Sequence, residues 1–354
     1  MQNIPFSIID AHIHQWDPYH TPHAAAFAVK LLGKHPKLLD RLVRLIKPKA
    51  VIETIGLTEH ITAPYLPQDY AHDIGHYVID KVIHVEASWH EHKGTGVVNE
   101  TRFIESLPFH ETSIQLAAIV ATADPRQKNF KEILQMHQEA SDKFRGIRKM
   151  AAVHPNKAVY AWADEPHLYK NPKFLKGFEH LAHLNLSFDA WVYSNQIEDV
   201  IYLAQQFPQT PIVLDHLGTP VGMFGTVGKR TGRSEKERQY IFEKWKFDLA
   251  RLAELPNVYS KVSGLFMPVL GHRFHQQQRL ATKDQILSLA YPLIQHAFDC
   301  FGAKRLMFAS NFPMDSVSTD LVSIIDAFSD IIHTLNPNAL APIFRENAAE
   351  FYRL

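Results

Sequence analysis

Eight short apolar runs rich in β-branched residues, mostly alternating with helix-like stretches, set the tightest limit on what this chain can fold into. They span residues 7–14, 81–88, 114–124, 144–150, 186–192, 211–218, 258–265 and 305–313. Near-continuous apolar strands are what a parallel sheet buried on both faces requires. Segments 127–142, 172–184, 195–207, 235–255, 282–301 and 319–335 carry apolar residues at helical spacing. This alternation predicts an α/β fold, a (β/α)8 TIM barrel. A doubly wound open sheet is the competing architecture. The count of eight, with no Gly-x-Gly-x-x-Gly after the first run, favours the barrel. A chain of 354 residues fits such a barrel as one domain over 1–354.

Two stretches exceed a minimal barrel. Residues 15–77 form a long insertion after strand one, with a basic helix expected over 24–46 and a loop holding Tyr65 and Tyr70. Residues 219–234 form a Gly-rich loop carrying Lys229, Arg230 and Arg233. Both follow strands, so both are expected over the C-terminal face, where barrel active sites lie. The insertion is either a lid, with Tyr65 and Tyr70 touching substrate, or an oligomer contact. The basic loop reads as a solvated charge run or as a contact for an acidic ligand.

Composition narrows the partners. Lys and Arg total 37 and so do Asp and Glu, leaving no basic surplus for nucleic acid or an anionic membrane. One cysteine, Cys300, excludes an intrachain disulfide framework and a Cys-rich zinc site. No apolar run reaches membrane-spanning length, and the first residues do not read as a secretory signal. The expectation is a cytoplasmic protein acting on a small molecule, with a homo-oligomer left open.

Polar residues gather at the predicted strand ends. His12 and His14 lie two apart at the end of strand one, which in a regular strand puts both on one face. They read either as convergent ligands or as ordinary loop histidines. Glu86 ends strand two and reads as a metal ligand, a base or a salt-bridged residue. Arg148 on strand four reads as a clamp for substrate oxygens or as an interior ion pair with Asp189 of strand five. Asp189 is costly to bury unpaired. His216 after strand six is the foremost acid/base candidate, since imidazole titrates near neutrality. Lys261 and Ser263 share a face of strand seven. Asn311 ends strand eight, with Asp315 behind it; an amide hydrogen-bonds but cannot serve as a base.

These residues carry a resemblance. The segments Ile9-Asp-Ala-His-Ile-His-Gln-Trp-Asp-Pro18, Arg145-Gly-Ile-Arg148, Leu186-Ser-Phe-Asp189, Leu214-Asp-His-Leu-Gly-Thr-Pro220, Lys261-Val-Ser-Gly-Leu265 and Arg305-Leu-Met-Phe-Ala-Ser-Asn-Phe-Pro313 resemble the amidohydrolase superfamily. The ending Glu346-Asn-Ala-Ala-Glu-Phe-Tyr-Arg353 fits as well. Within the superfamily the chain is most similar to the branch of L-fuconolactonase, L-rhamnonolactonase and 2-pyrone-4,6-dicarboxylate lactonase. The resemblance implies a hydrolase opening a sugar lactone or related cyclic ester. It implies that His12, His14, His216 and the strand-eight position (Asn311, with Asp315, Glu86 or His216 as the substitute base) surround the reacting carbonyl. It further implies substrate contacts from Arg148, with Asp189, Trp191 and Lys261 around the pocket. Two mechanisms stay open: one divalent metal, zinc, on His12, His14 and Glu86, or metal-free hydrogen bonding to the oxyanion. Two departures stand out. Strand five lacks the histidine of metal-dependent members, and strand eight has Asn311 where the family carries Asp. The alternatives are a decarboxylase or hydratase of the same superfamily, or a non-catalytic binding barrel.

Overall fold

The computed structural model describes residues 4–23, 26–33, 35–91 and 94–354. Eight strands form one parallel sheet in chain order: β1 (Ile8–Ile13), β2 (Ile79–Val85), β3 (Gln115–Thr122), β4 (Phe144–Arg148), β5 (Ser187–Ala190), β6 (Ile212–Leu214), β7 (Val258–Val262) and β8 (Leu306–Phe308). The ends of β1 and β8 meet through the bonds Asn311 N–H to His12 O (2.9 Å) and His14 N–H to Phe312 O (2.8 Å), which draw the sheet round into a barrel. The expected (β/α)8 fold is therefore present, seven strands lying within their predicted runs and β2 starting at Ile79, two residues before its run.

The barrel has two apolar layers. Ile9, Ala11, Ile83, Val85, Ala118, Val120, Val213, Met307 and Ala309 fill the inside, with Phe351 and Tyr352 of the last helix. The outer faces of the strands pack on the surrounding helices in a larger cluster. Those helices are α7 (Phe130–Ala140), α8 (Pro172–His183), α9 (Ile197–Gln206), α10 (Glu235–Ala253), α11 (Lys283–Phe301) and α12 (Leu321–Leu335). Their starts follow capping chemistry: Asn171, Ser234, Thr282 and Asp320 each accept a first-turn N–H. One helix between β2 and β3, α6 (Val98–Glu105), escaped the sequence reading because its apolar stripe is only two turns long.

The single basic helix expected over 24–46 is two helices, α1 (Ala26–Leu32) and α2 (Pro36–Ile46); residues 24, 25 and 34 lie outside the described set. Gly33 closes α1 through Val29 O, and Pro36 opens α2, where its missing N–H costs nothing. Three more helices complete the insertion: α3 (Lys49–Ile55), α4 (Glu59–Thr62) and α5 (Pro67–Asp73). The closing helix of the chain is α13 (Asn347–Tyr352).

Candidate active site

The site is built from strand ends. β1 is irregular between Asp10 and Ile13. Ile9 and Ala11 face the barrel interior, so strict alternation would turn His12 outward with Asp10. The irregularity lets His12 reach inside as well, which is a common use of a bulge beside a functional site. Asp10 stays outside as a mount, accepting Ser310 N–H (2.9 Å) and Tyr70 O–H (2.7 Å).

Two polar layers result. The lower layer is sealed from solvent and holds His12, Asp189, Asp215, Lys261 and Tyr352. Lys261 Nζ pairs with Asp189 and lies 3.2 Å from both Asp215 Oδ1 and His12 Nδ1. Tyr352 donates to Asp189 (2.9 Å). Burial pushes Asp189 up to about 6, with Lys261 pulling against it. Burial also opposes ionisation of Asp215, yet Lys261 and His12 outweigh it and hold that carboxyl well below the usual range. Asp215 thus stays a carboxylate beside His12 Nδ1 (3.4 Å).

The upper layer opens on a cavity of about 370 Å³ lined by His14, Glu86, Arg148, Trp191, His216 and Asn311, among others. Arg148 is locked by Glu86, whose Oε1 accepts Nε–H (2.8 Å) while its backbone carbonyl accepts Nη2–H (2.8 Å). Nη1 is left 3.3 Å from His12 Nε2. The guanidinium sits 5.7 Å from the Trp191 ring centre, and Trp191 Nε1–H is spent on Thr219 Oγ1 (3.0 Å). His14 Nδ1 meets Val85 O at 2.8 Å. A carbonyl only accepts, so the proton of neutral His14 is on Nδ1 and its Nε2 carries the lone pair. That Nε2 lies 3.3 Å from His12 Nε2. His216 Nδ1 meets Ser263 Oγ at 2.8 Å. Burial lowers His12 and His14 well below the imidazole range and His216 to about 3, so all three rings are neutral.

Local backbone shape serves the site. His216 and Asn311 both have left-handed φ, 55° and 59°, a conformation held only where surroundings over-determine it. Gly264 (φ +63°) is required beside His216: a Cβ there would lie 2.5 Å from the imidazole.

Several sequence expectations change on this geometry. His12 does not line the cavity; it lies beneath His14 and His216. Glu86 binds Arg148 rather than joining a histidine pair around a metal. Arg148 does not pair with Asp189, whose partner is Lys261, and both Asp189 and Lys261 lie below the cavity floor. Asp315 stands behind Asn311, accepting its Nδ2–H (2.9 Å) and Phe266 N–H (3.3 Å), outside the cavity lining. Tyr65 and Tyr70 do not line the cavity either, since their hydroxyls are committed to Asp73 and Asp10. Lys229, Arg230 and Arg233 are exposed and solvated. His14, Arg148, Trp191, His216 and Asn311 do face one cavity. Sequence reasoning undervalued Asp215 and missed Tyr352; the adjacency of Asp215 to His216 was the available signal for the first.

Three buried donors converge where a metal ion could be held. Among the described residues, His12, Asp215 and His216 form the one group whose ligand atoms lie within 4.8 Å of one another. Both Asp215 oxygens are buried without a hydrogen bond. Imidazole nitrogens and an ionised carboxylate suit a divalent ion. The set fits one such ion, with Lys261 and Arg148 opposing it electrostatically.

Comparison with known proteins agrees with the fold. Residues 9–354 match the sequence model of the family described as Amidohydrolase. An L-fucono-1,5-lactonase of Burkholderia ambifaria is 27% identical over 274 residues, covering 73% of this chain and 81% of that protein. A Sinorhizobium fredii protein named "Uncharacterized protein y4mH" is 29% identical over 98% of this chain and 99% of its own length. The crystal structure of an amidohydrolase from Burkholderia multivorans with bound zinc superposes with a TM-score of 0.69 at 22% identity, covering 99% of this chain and 100% of that one. With the family matched along nearly its whole length, this chain belongs to the amidohydrolases.

Proposed function

We propose that this protein hydrolyses a lactone, with water attacking the ring carbonyl in the cavity above Arg148. One observation carries the reading: a locked guanidinium, a histidine of fixed tautomer and a second neutral histidine line the same cavity. Its similarity to an L-fucono-1,5-lactonase supports the same reaction class.

Arg148 is placed to hold the carbonyl oxygen as it gains charge, a preorganised donor of the kind that lowers acyl-transfer barriers. His14 Nε2 takes a proton from the attacking water. The new C–O bond forms, the oxyanion collapses, and the ring C–O bond breaks. The proton then returns from His14 to the leaving alkoxide, giving the hydroxy acid. While on His14, the proton is shared with His12 across 3.3 Å, and His12 faces the Asp215 carboxylate. A negative group there stabilises a transient imidazolium. Asn311 gives one Nδ2–H to Asp315, and its remaining N–H and carbonyl oxygen can orient water or a hydroxyl without acting as a base. A divalent ion held by His12, Asp215 and His216 would, when bound, polarise the carbonyl or acidify water.

The test is lactone ring opening, followed by proton release, in wild type and Arg148→Met. The variant is expected to lose about 10²–10³ in kcat, the range for removal of one oxyanion donor. An unchanged kcat would remove Arg148 from the chemistry.

A further inference from the structure

The cavity is not uniform. Its floor is polar, but the surface facing that floor comes from the insertion and is mostly aliphatic, with Val43 of α2, Val51 and Ile55 of α3, and Ile61 of α4. The exposed Lys47 borders it, and His23 Nε2 and Trp162 Nε1, both buried without a hydrogen-bond partner among the described residues, line the cavity as well. Met267 and Met314 continue the same surface on one side. Two threonines also line this roof, Thr54 and Thr62. Their hydroxyls are already spent on helix carbonyls, Thr54 on Ala50 O (2.8 Å) and Thr62 on Glu59 O (3.2 Å). Their donor hydrogens are therefore not free for a ligand, although each oxygen can still accept. Trp16, whose indole N–H is spent on Ala63 O (2.9 Å), adds another apolar face.

A polyhydroxylated ring on the Arg148 floor would press hydroxyls against this roof. A hydroxyl against the aliphatic stretch would leave water without gaining a partner, which is unfavourable, whereas one that reached His23 Nε2 or Trp162 Nε1 would find one. An alkyl or aryl group in the same place loses nothing and gains burial. Specificity follows from that asymmetry.

We infer that the substrate is a lactone bearing an apolar alkyl or aryl substituent, the ring held at Arg148 and the substituent buried under α2–α4, rather than a sugar lactone. This rests on the lactonase reading above.

The experiment compares γ-lactones with methyl, propyl and hexyl substituents against aldonolactones, by proton release. In parallel, calorimetry measures binding of the ring-opened 4-hydroxyalkanoates of the same series. Expected is a kcat/KM rising about fourfold per methylene, the factor equal to ~0.8 kcal/mol per buried CH₂, until the roof is filled. Aldonolactones should fall at least tenfold below the hexyl lactone. Val51→Asp and Val43→Asn should each flatten the slope. Aldonolactones turned over faster than the hexyl compound, or a flat slope in wild type, would overturn the inference. If folded protein opens no lactone at all, the lactonase reading fails, and calorimetry decides the inference alone. Affinity rising with chain length then supports an apolar ligand, and affinity indifferent to length overturns it.

Discussion

Asp315 is a carboxyl that water does not reach, held by one amide from Asn311 and one backbone N–H from Phe266. Burial pushes it up to about 7. Its folded pKa lies above its unfolded value, so the folded state holds the proton more tightly. The stability this contributes is complete below about pH 4 and is lost as pH rises through about 7. Asp315→Asn removes the titration. Between about pH 5 and 8, urea unfolding should show wild type losing on the order of 2 kcal/mol more than the variant; parallel pH profiles would exclude a buried, titrating Asp315. At this scale the sequence marked the right neighbourhood but not the roles. His14, Arg148, His216 and Asn311 were legible because polar side chains at strand ends have few structural uses. Asp315 was legible as a candidate base, but its actual place, accepting the Asn311 amide outside the cavity lining, depends on a turn whose shape no spacing rule gives. His12 was misplaced for a related reason: period-two alternation cannot anticipate the irregularity in β1.

At the scale of elements, β5, β6 and β7 are joined inside the barrel by charge. Lys261 of β7 lies between Asp189 of β5 and Asp215, which follows β6. All three side chains are sealed from solvent. Removing the ammonium leaves two buried carboxylates without the cation between them, with the Tyr352 hydroxyl on Asp189 and Arg148 at 3.7 Å from Asp215 left to offset part of the loss. Lys261→Met should therefore cost about 3–5 kcal/mol in unfolding free energy, the range for breaking a buried pair from one side. A change below about 1 kcal/mol would mean that water already compensates these charges. The strands themselves were readable from composition, since a run such as Leu186–Val192 has no other economical place than a buried sheet. The pairing was not. Arg148 and Asp189 are adjacent in register, which made them the natural couple, but Glu86 holds the guanidinium from β2 and Lys261 answers Asp189 from β7. Such choices are set by side-chain reach across the barrel. The insertion was legible as an addition, yet not as five helices, because Gly33 and Pro36 break one amphipathic pattern into two elements.

The whole molecule combines a barrel with a helical roof built by the insertion. The barrel supplies a guanidinium locked by Glu86, neutral histidines and a charged layer beneath them that balances the arginine. The insertion supplies α2–α4, whose aliphatic residues close over that floor. Among the described residues, no helix is long and apolar enough to cross a membrane. The division of labour follows from physics: charge needs rigid strands to hold it in place, whereas an apolar cover needs only area. It also separates two properties that experiment can address independently, ring opening at Arg148 and selection of the substituent under the roof.

Ring opening by the purified wild-type protein tests the central claim most directly. Proton release in weak buffer should be rapid with at least one member of a panel of alkyl-substituted lactones, aldonolactones and pyrone lactones, and should fall about 10²–10³-fold in Arg148→Met. Folded protein that opens none of them, with and without added zinc, would contradict the account.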